Sequence, residues 1–144
     1  PIEIIHAPDQ DKTDLEKAFE YLIQRKIPAA NVIWATGKRA DHTMSNLTNM
    51  VRYRDSLKVV IHDDHSKIYL LPRNFQKWYP AGTIISLIPI GQVNGITTEN
   101  LVYPLHDETL TIGYRSGSSN AVATDGIVTI NHTDGDLLLM ECID

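Results

Sequence analysis

The sequence predicts a protein of two parts, an α/β first half and an all-β second half. In residues 1–65, short β-branched runs alternate with stretches whose apolar residues recur at helical spacing, which is typical of alternating strands and helices. After Pro72 the helical spacing disappears, and short β runs are separated by turn residues. The second half is therefore most simply a small antiparallel β-sandwich.

Composition limits the class of protein. The 144 residues can form one ordinary core or two small ones, and 42% hydrophobic and 22% charged residues are typical of a soluble globular protein. A net charge of −5 without a basic block argues against a nucleic-acid binder or a membrane-surface protein. The single cysteine, Cys142, excludes an internal disulfide framework. Because no stretch resembles a signal peptide or a membrane span, we expect a cytoplasmic protein.

The first elements are predicted from local patterns. Residues 2–7 are rich in isoleucine and end at Pro8, which predicts a strand. An amphipathic helix follows, and Thr13 and Glu16 have the spacing of a capping box, which places the helix start at Thr13. Residues 31–36 predict the next strand, so that the first part would be a right-handed parallel β-α-β unit.

The later elements follow from the same kinds of pattern. We predict a helix over residues 42–54, strands over residues 57–62, 67–71, 83–90, 110–114, 126–131 and 137–143, and a loop over residues 73–82. The last two strands would be joined by a turn at residues 133–136. The His-Asp-Asp-His run at residues 62–65 raises the possibility of a metal site, but a reverse turn between two strands is favoured because no partner ligands are evident.

The segment at residues 35–47 is the first candidate site, because it follows a predicted strand and opens a predicted helix. In an open α/β sheet, ligands bind beyond the carboxyl ends of the strands, where the next helix presents unpaired N–H groups. Gly37 permits a tight turn, Lys38 and Arg39 add positive charge, and Asp41 adds a carboxylate. The segment therefore predicts an oxyanion or phosphate site.

Parallel pairing would bring the polar residues 9–14 to the same edge of the sheet, so that acids and cations would share one cleft. Simpler interpretations remain open. Lys38 and Arg39 are also compatible with a solvated surface, Asp41 with a helix N-cap, and Asp14 with a carboxylate that complements the helix dipole. In the second half, the polar residues 115–120 suit either a linker or recognition of an uncharged heterocycle.

Several segments, in the same order along the chain, resemble thiamine pyrophosphokinase. They are DQDKTDLEKA at 9–18, ATGKRADHTMSN at 35–46, GTIISLIPIG at 82–91, GITT at 95–98, LVYPL at 101–105 and Ser119-Asn120. The resemblance implies transfer of a pyrophosphoryl group from ATP to the hydroxyl of thiamine, with Mg²⁺, in a homodimer. It also implies that residues 1–65 are the C-terminal part of a Rossmann-like α/β nucleotide-binding catalytic domain and residues 66–144 a thiamine-binding β-sandwich.

The resemblance also implies roles for individual residues. It implies catalytic roles for Asp14, Asp41 and Arg39, with Asp14 as a metal ligand. The implied ATP-binding residues are Gln10, Thr13, Lys17, Lys38 and Arg39. The implied thiamine-binding residues, at the dimer interface, are Ser118, Ser119 and Asn120.

One part of the family pattern does not occur in these 144 residues, namely an aspartate-rich DFDS-type motif that supplies further magnesium ligands upstream. We therefore expect that the sequence begins within a domain and that this chain alone is inactive. Two alternatives remain. One is a non-catalytic thiamine-binding or dimerisation fragment, and the other is a different nucleotide-dependent transferase. Neither a nucleic acid nor a membrane is expected as a partner.

Overall fold

The computed structural model describes residues 2–143, which contain two helices and nine strands. The helices are α1 (Asp14–Gln24) and α2 (Ala40–Arg52). The strands are β1 (Ala29–Ile33), β2 (Lys58–His62), β3 (Ser66–Leu70), β4 (Asn74–Tyr79), β5 (Ile84–Glu99), β6 (Glu108–Thr111), β7 (Gly117–Ala121), β8 (Gly126–Asn131) and β9 (Asp134–Cys142).

The start of α1 is fixed by the predicted capping box, which is confirmed. The hydroxyl of Thr13 accepts a hydrogen bond from the backbone N–H of Glu16 at 3.3 Å, and the Glu16 carboxylate accepts one from the Thr13 N–H at 2.8 Å. Two of the N–H groups that a helix start leaves unpaired are thereby satisfied. The helix buries Phe19, which is 1% exposed, against the sheet.

The predicted first strand is wrong. Residues 2–7 form no strand, and the side chains of Ile2 and Ile4 are 94% and 88% exposed. Strand propensity expresses packing against a neighbouring strand and a buried face, and residues 2–7 have neither in this structure. The predicted β-α-β unit with α1 as its crossover is therefore absent. A parallel pair is formed instead by β1 and β2, which α2 connects.

The sheet runs in the order β1-β2-β3-β9-β5-β8-β4, and β6 and β7 also pair with β5. Only the β1–β2 pair is parallel among the pairs within residues 2–143. The predicted turn at residues 62–65 is confirmed, since it closes the β2–β3 hairpin and Asp63 N–H donates to the Ser66 carbonyl at 2.9 Å. The sheet is thus continuous across the expected domain boundary between residues 65 and 66.

The second half is all β and is organised by β5, which has 16 residues. Its first part pairs with β9 and β7, and its later part pairs with β8 and β6. The predicted loop at residues 73–82 is wrong, because it contains β4, which lies at the end of the sheet and pairs with β8. Its residues alternate along a strand with one solvent-facing side, because Phe75 and Tyr79 lie on the more buried face and Trp78 lies on the exposed one.

The turn at residues 133–136 joins β8 to β9, but these strands do not pair with each other, so it is not a hairpin turn. The turn instead packs against β5. A Cβ atom at Gly135, whose φ is +81°, would lie 2.3 Å from the carbonyl oxygen of Gln92. Only glycine fits this close approach of two backbone segments.

Two clusters of buried side chains meet at β9. Leu138 packs with Phe19, Met50 and Ile61 in the cluster between the helices and the sheet. Its neighbours Leu137 and Leu139 belong to the cluster within the β half. Successive residues of a strand face opposite sides, so β9 presents one face to each core. The structure thereby confirms an α/β part followed by a β part.

Candidate functional site

A groove of about 620 Å³ lies where the start of α1 faces the end of β1 and the first turns of α2. Its lining includes three of the residues expected at an ATP site, Gln10, Thr13 and Lys17, together with Asp14. The expected meeting of the segment at residues 9–14 with the one that follows β1 is thus observed. Lys38 and Arg39 line a smaller recess of about 170 Å³, which shares Trp34, Ala35, His42 and Asn46 with the groove.

The Asp14 carboxylate is fully exposed at the first turn of α1. Its nearest cation is the Lys17 ammonium, at 3.5 Å. Thr13, not Asp14, caps the helix, and the Gln10 amide donates to the Pro8 carbonyl at 3.2 Å. Asp14 is therefore the acid in the groove whose oxygens are most open to a ligand, although its place in the first turn also complements the helix dipole.

Arg39 and Asp41 form an ion pair with two hydrogen bonds. Arg39 Nε donates to Asp41 Oδ1 at 3.1 Å, and an Arg39 terminal nitrogen donates to Asp41 Oδ2 at 2.5 Å. The hydrogen bonds from Arg39 lower the pKa of Asp41 to about 2. Arg39 occupies the N-cap position of α2, so the N-cap interpretation of Asp41 is wrong. The Asp41 carboxylate is not a free ligand in this structure, since Arg39 engages both of its oxygens.

The sequence analysis missed Asp63, which holds the segment after β1 in place. Its Oδ2 accepts a hydrogen bond from the Thr36 hydroxyl at 2.8 Å, and its Oδ1 accepts one from the His65 N–H at 2.8 Å. Partial burial acts to raise the pKa of Asp63. These hydrogen bonds and one from the Ser66 N–H together have the larger, opposite effect, so the pKa lies below its ordinary value. Parallel pairing of β1 and β2 could have indicated this contact, because the residues that follow two parallel strands, here 36 and 63, lie at the same edge of the sheet.

A second set of contacts ties α1 to α2. The Glu16 carboxylate, which caps α1, also accepts a hydrogen bond from Arg52 at 2.6 Å. Glu20 accepts hydrogen bonds from Lys12 at 2.8 Å and from the Tyr53 hydroxyl at 3.1 Å. The Asn46 amide donates to the Ala35 carbonyl at 2.6 Å. These contacts link the two walls of the groove.

A recess of about 240 Å³ in the β half contains two of the three residues expected to bind thiamine, Ser118 and Asn120. Arg115, the first of the polar residues 115–120, also lines it, as does Tyr103, for which no site role was predicted. Ser119 does not line the recess, and its N–H donates to the Ser86 hydroxyl at 3.0 Å.

The Asn120 side chain is only 5% exposed, and its polar atoms are already paired. Its oxygen accepts hydrogen bonds from the N–H groups of Tyr103 at 3.0 Å and Ala121 at 2.9 Å. Its amide nitrogen donates to the Tyr103 carbonyl at 2.7 Å. Asn120 therefore holds the backbone of Tyr103, whose own side chain is 69% exposed beside the recess.

Within residues 2–143 no three His, Cys, Asp or Glu side chains converge in a way that could hold a metal ion. A divalent cation at Asp14 would therefore need most of its ligands from water or from a bound phosphate. Neither helix in this part of the chain is long and apolar enough to cross a membrane.

Comparison with protein families matches both halves of the chain to one enzyme family. Residues 1–61 match the family model described as thiamin pyrophosphokinase, catalytic domain, and residues 69–137 match its vitamin B1 binding domain. Thiamine pyrophosphokinase 2 of Arabidopsis thaliana is 32% identical over 142 residues, covering 90% of this chain and 52% of that protein. Thiamin pyrophosphokinase 1 of Caenorhabditis elegans is 29% identical over 137 residues, covering 87% of this chain and 56% of that protein. The chain thus spans about half the length of these relatives.

Solved structures share the same fold. The thiamin pyrophosphokinase of Geobacillus thermodenitrificans superposes with a TM-score of 0.81 and 26% identity, over 94% of this chain and 64% of that one. A thiamin pyrophosphokinase family protein of Enterococcus faecalis superposes with a TM-score of 0.84 over 97% of this chain and 68% of that one, and at 23% identity it supports the fold alone. Because the two family models match in order on either side of the β2–β3 hairpin, this chain belongs to the thiamine pyrophosphokinase family.

Proposed function

We propose that the protein to which this chain belongs transfers a pyrophosphoryl group from ATP to the hydroxyl of thiamine. The observation that carries the proposal is the pair of recesses, one in each of the two family-matched halves. The hydroxyl oxygen of thiamine would attack the β-phosphorus of ATP and lose its proton, and the bond from that phosphorus to the α-phosphate oxygen would break. The products would be thiamine diphosphate and AMP.

The ATP phosphates would lie in the groove at the start of α1, in a Rossmann-like nucleotide-binding half formed by residues 1–65. The dipole of α1 and the Lys17 ammonium would attract the phosphate oxygens there. Lys38 and Arg39, in the adjoining recess, would extend the positive surface. Gln10 and Thr13 would shape the segment before α1 through their local hydrogen bonds.

The cofactor in this proposal is Mg²⁺, and Asp14 is its protein ligand in this chain. The open carboxylate at the start of α1 suits an ion that takes one or two carboxylates and completes its shell with water and phosphate. When bound, Mg²⁺ neutralises charge on the transferred phosphates. Asp41 and Arg39 would act as a pair, with the carboxylate holding the guanidinium in a fixed direction.

Thiamine would occupy the recess in the β half formed by residues 66–144. Ser118 would offer its hydroxyl group, and Asn120 would act by holding Tyr103 beside the ring system. Ser119 would act indirectly, because its N–H donates to Ser86 and holds the strand that carries Ser118. We further propose a cytoplasmic homodimer in which this recess faces the nucleotide groove of the partner subunit. The recess is lined by apolar residues such as Leu87 and Leu105 and by uncharged polar residues such as Ser118, and this combination supports a heterocyclic ligand.

The test is release of AMP from Mg-ATP by the purified protein, with and without thiamine. AMP that appears only with thiamine, in equal amount with thiamine diphosphate, would support the proposal. Binding of thiamine with no AMP release would favour the alternative of a non-catalytic thiamine-binding or dimerisation fragment. AMP or ADP release that depends on another acceptor would favour a different nucleotide-dependent transferase.

A further inference from the structure

Trp34 lies directly after β1 in a conformation that side chains of its size rarely adopt. Its φ is +60°, in the left-handed region, where a Cβ atom crowds the following carbonyl. Its side chain is 90% exposed, so burial of the indole does not compensate for this conformational cost. Strained backbone that persists without a packing reason is concentrated at functional sites.

The position of Trp34 offers a functional reason for this strained backbone. The residue lines both the groove at the start of α1 and the recess beside Gly37. Asp14 and Lys17 of α1 line the same groove. A ligand that places its charged end near Lys17 would therefore present its other end within reach of the wall formed by Trp34. The groove, at about 620 Å³, is within the range of sites that hold a nucleotide.

We propose that the indole of Trp34 stacks on the adenine ring of the nucleotide whose phosphates lie at the start of α1. The inference rests on the proposed function, because it assumes that the groove takes ATP. An exposed indole offers a large flat apolar surface, and a base stacks on such a surface without needing a particular hydrogen-bond pattern. The cations of the groove serve the phosphates and leave this aromatic wall for the base.

The chain offers its own optical test, because it contains two tryptophans, Trp34 and Trp78. Trp78 lies on β4, at the opposite end of the sheet from β1, and is 60% exposed. Within these 144 residues, Trp78→Phe leaves Trp34 as the indole reporter, and Trp34→Phe is the matched control that leaves Trp78. Each variant is titrated with AMP, Mg-ATP, tripolyphosphate and thiamine while indole emission is recorded.

We expect AMP and Mg-ATP to quench the emission of Trp34 in a saturable manner. The emission of Trp78 should stay the same. Tripolyphosphate, which has no base, should bind without this quenching. Trp34→Gly should weaken AMP binding by about tenfold, the loss expected for one base–aromatic stack. The same variant should not lower the thermal unfolding midpoint, because glycine adopts a φ of +60° without strain. Trp34→Tyr should retain most of the affinity.

Equal AMP affinity in wild type and Trp34→Gly would overturn the inference, as would quenching of Trp34 by thiamine or tripolyphosphate in place of AMP. Failure of the stacking and failure of the proposed activity give different results. Saturable quenching by AMP without thiamine-dependent AMP release would leave the stacking in place and contradict the activity. Formation of thiamine diphosphate with an unchanged ATP KM in Trp34→Gly would support the activity and contradict the stacking.

Discussion

At the scale of single residues, Asp14 has the most open carboxylate of the groove. Asp14→Asn removes its charge with almost no change of shape. In the complete protein, we expect kcat to fall by about 100-fold or more, because Mg²⁺ contributes several kcal/mol to stabilising the charge of phosphoryl transfer. The unfolding midpoint should change little, since the Asp14 side chain is fully exposed and its one ion pair within residues 2–143 is with Lys17, at 3.5 Å.

The matched control for this substitution is Asp11→Asn, a neighbouring exposed acid that does not line the groove. Steady-state kinetics at millimolar Mg²⁺ measure both variants. Full activity of Asp14→Asn under those conditions would remove the residue from the metal site.

The Arg39–Asp41 pair has a predictable pH dependence. The pKa of Asp41 in the folded protein, about 2, lies below its ordinary value of 3.8. A lowered carboxyl pKa means that the pair stabilises the fold fully above the ordinary value, and that this contribution is lost as pH falls from about 4 to about 2.

NMR titration of the Asp41 carboxyl carbon measures this directly, and the midpoint should lie near pH 2. Arg39→Gln should return the midpoint towards 3.8, because the two hydrogen bonds from the guanidinium are lost. A midpoint near 4 in the unsubstituted protein would show that the pair is not formed in solution.

Asn120 illustrates what a sequence alone cannot supply about a site. The resemblance implied that Asn120 binds thiamine, but its amide is directed at the backbone of Tyr103, which is 17 residues away in the chain. Asn120→Ala should destabilise the protein by about 1–3 kcal/mol, because it leaves buried partners unpaired. It should also raise the thiamine KM far more than the ATP KM.

The comparison variant is Ser118→Ala, which removes an exposed hydroxyl from the same recess and leaves the backbone of Tyr103 in place, so that it should raise the thiamine KM without destabilising the protein. Urea unfolding and a comparison of the two KM values measure both variants. A parallel rise of both KM values in Asn120→Ala would argue against a role near thiamine.

At the scale of elements, the segment after β1 depends on the hairpin that follows β2. Thr36→Val and Asp63→Asn should each speed amide exchange over residues 37–43 and raise the ATP KM, because the hydrogen bond between the two side chains is lost in the first variant and loses its charged acceptor in the second. Thr36→Ser retains the hydroxyl and should restore slow exchange. Asp64→Asn changes the adjacent acid, for which no hydrogen bond is found within residues 2–143, and should have no effect.

Exchange measured by mass spectrometry tests this coupling without any assumption about the ligand. Unchanged exchange in both Thr36→Val and Asp63→Asn would show that the hairpin does not support the segment.

Local signals predicted the elements well, and long-range context explains the errors. The capping box at Thr13 and Glu16 depends on four consecutive residues and was correct. The isoleucine-rich residues 2–7 have strand propensity but no neighbouring strand here, and β4 is a strand despite its polar residues because β8 pairs with it. Whether either segment forms a strand depends on a pairing partner, and the neighbouring residues in the sequence do not reveal that partner.

At the scale of the whole molecule, β9 joins the two parts. Leu138→Ala should cost about 2–5 kcal/mol, as is usual for a fully buried leucine. Because the two faces of β9 belong to the two cores, we expect a single unfolding transition for the whole chain. Far-ultraviolet circular dichroism and Tyr or Trp fluorescence should report the same midpoint in urea.

The control substitution is Ile127→Ala on β8, where the side chain is 57% exposed and should cost far less. Two separate transitions in Leu138→Ala would show that the halves unfold independently, despite the continuous sheet.

The position of β9 in the chain also bears on how the protein is made. Residues 134–142 pair with both β3 and β5, which end 64 and 35 residues before Asp134. During synthesis, the facing edges of β3 and β5 are therefore exposed until the ribosome has added these residues. Exposed strand edges invite pairing with other chains. Nascent chains stalled before residue 134 should therefore bind chaperones more than longer chains do. They should aggregate when chaperones are scarce.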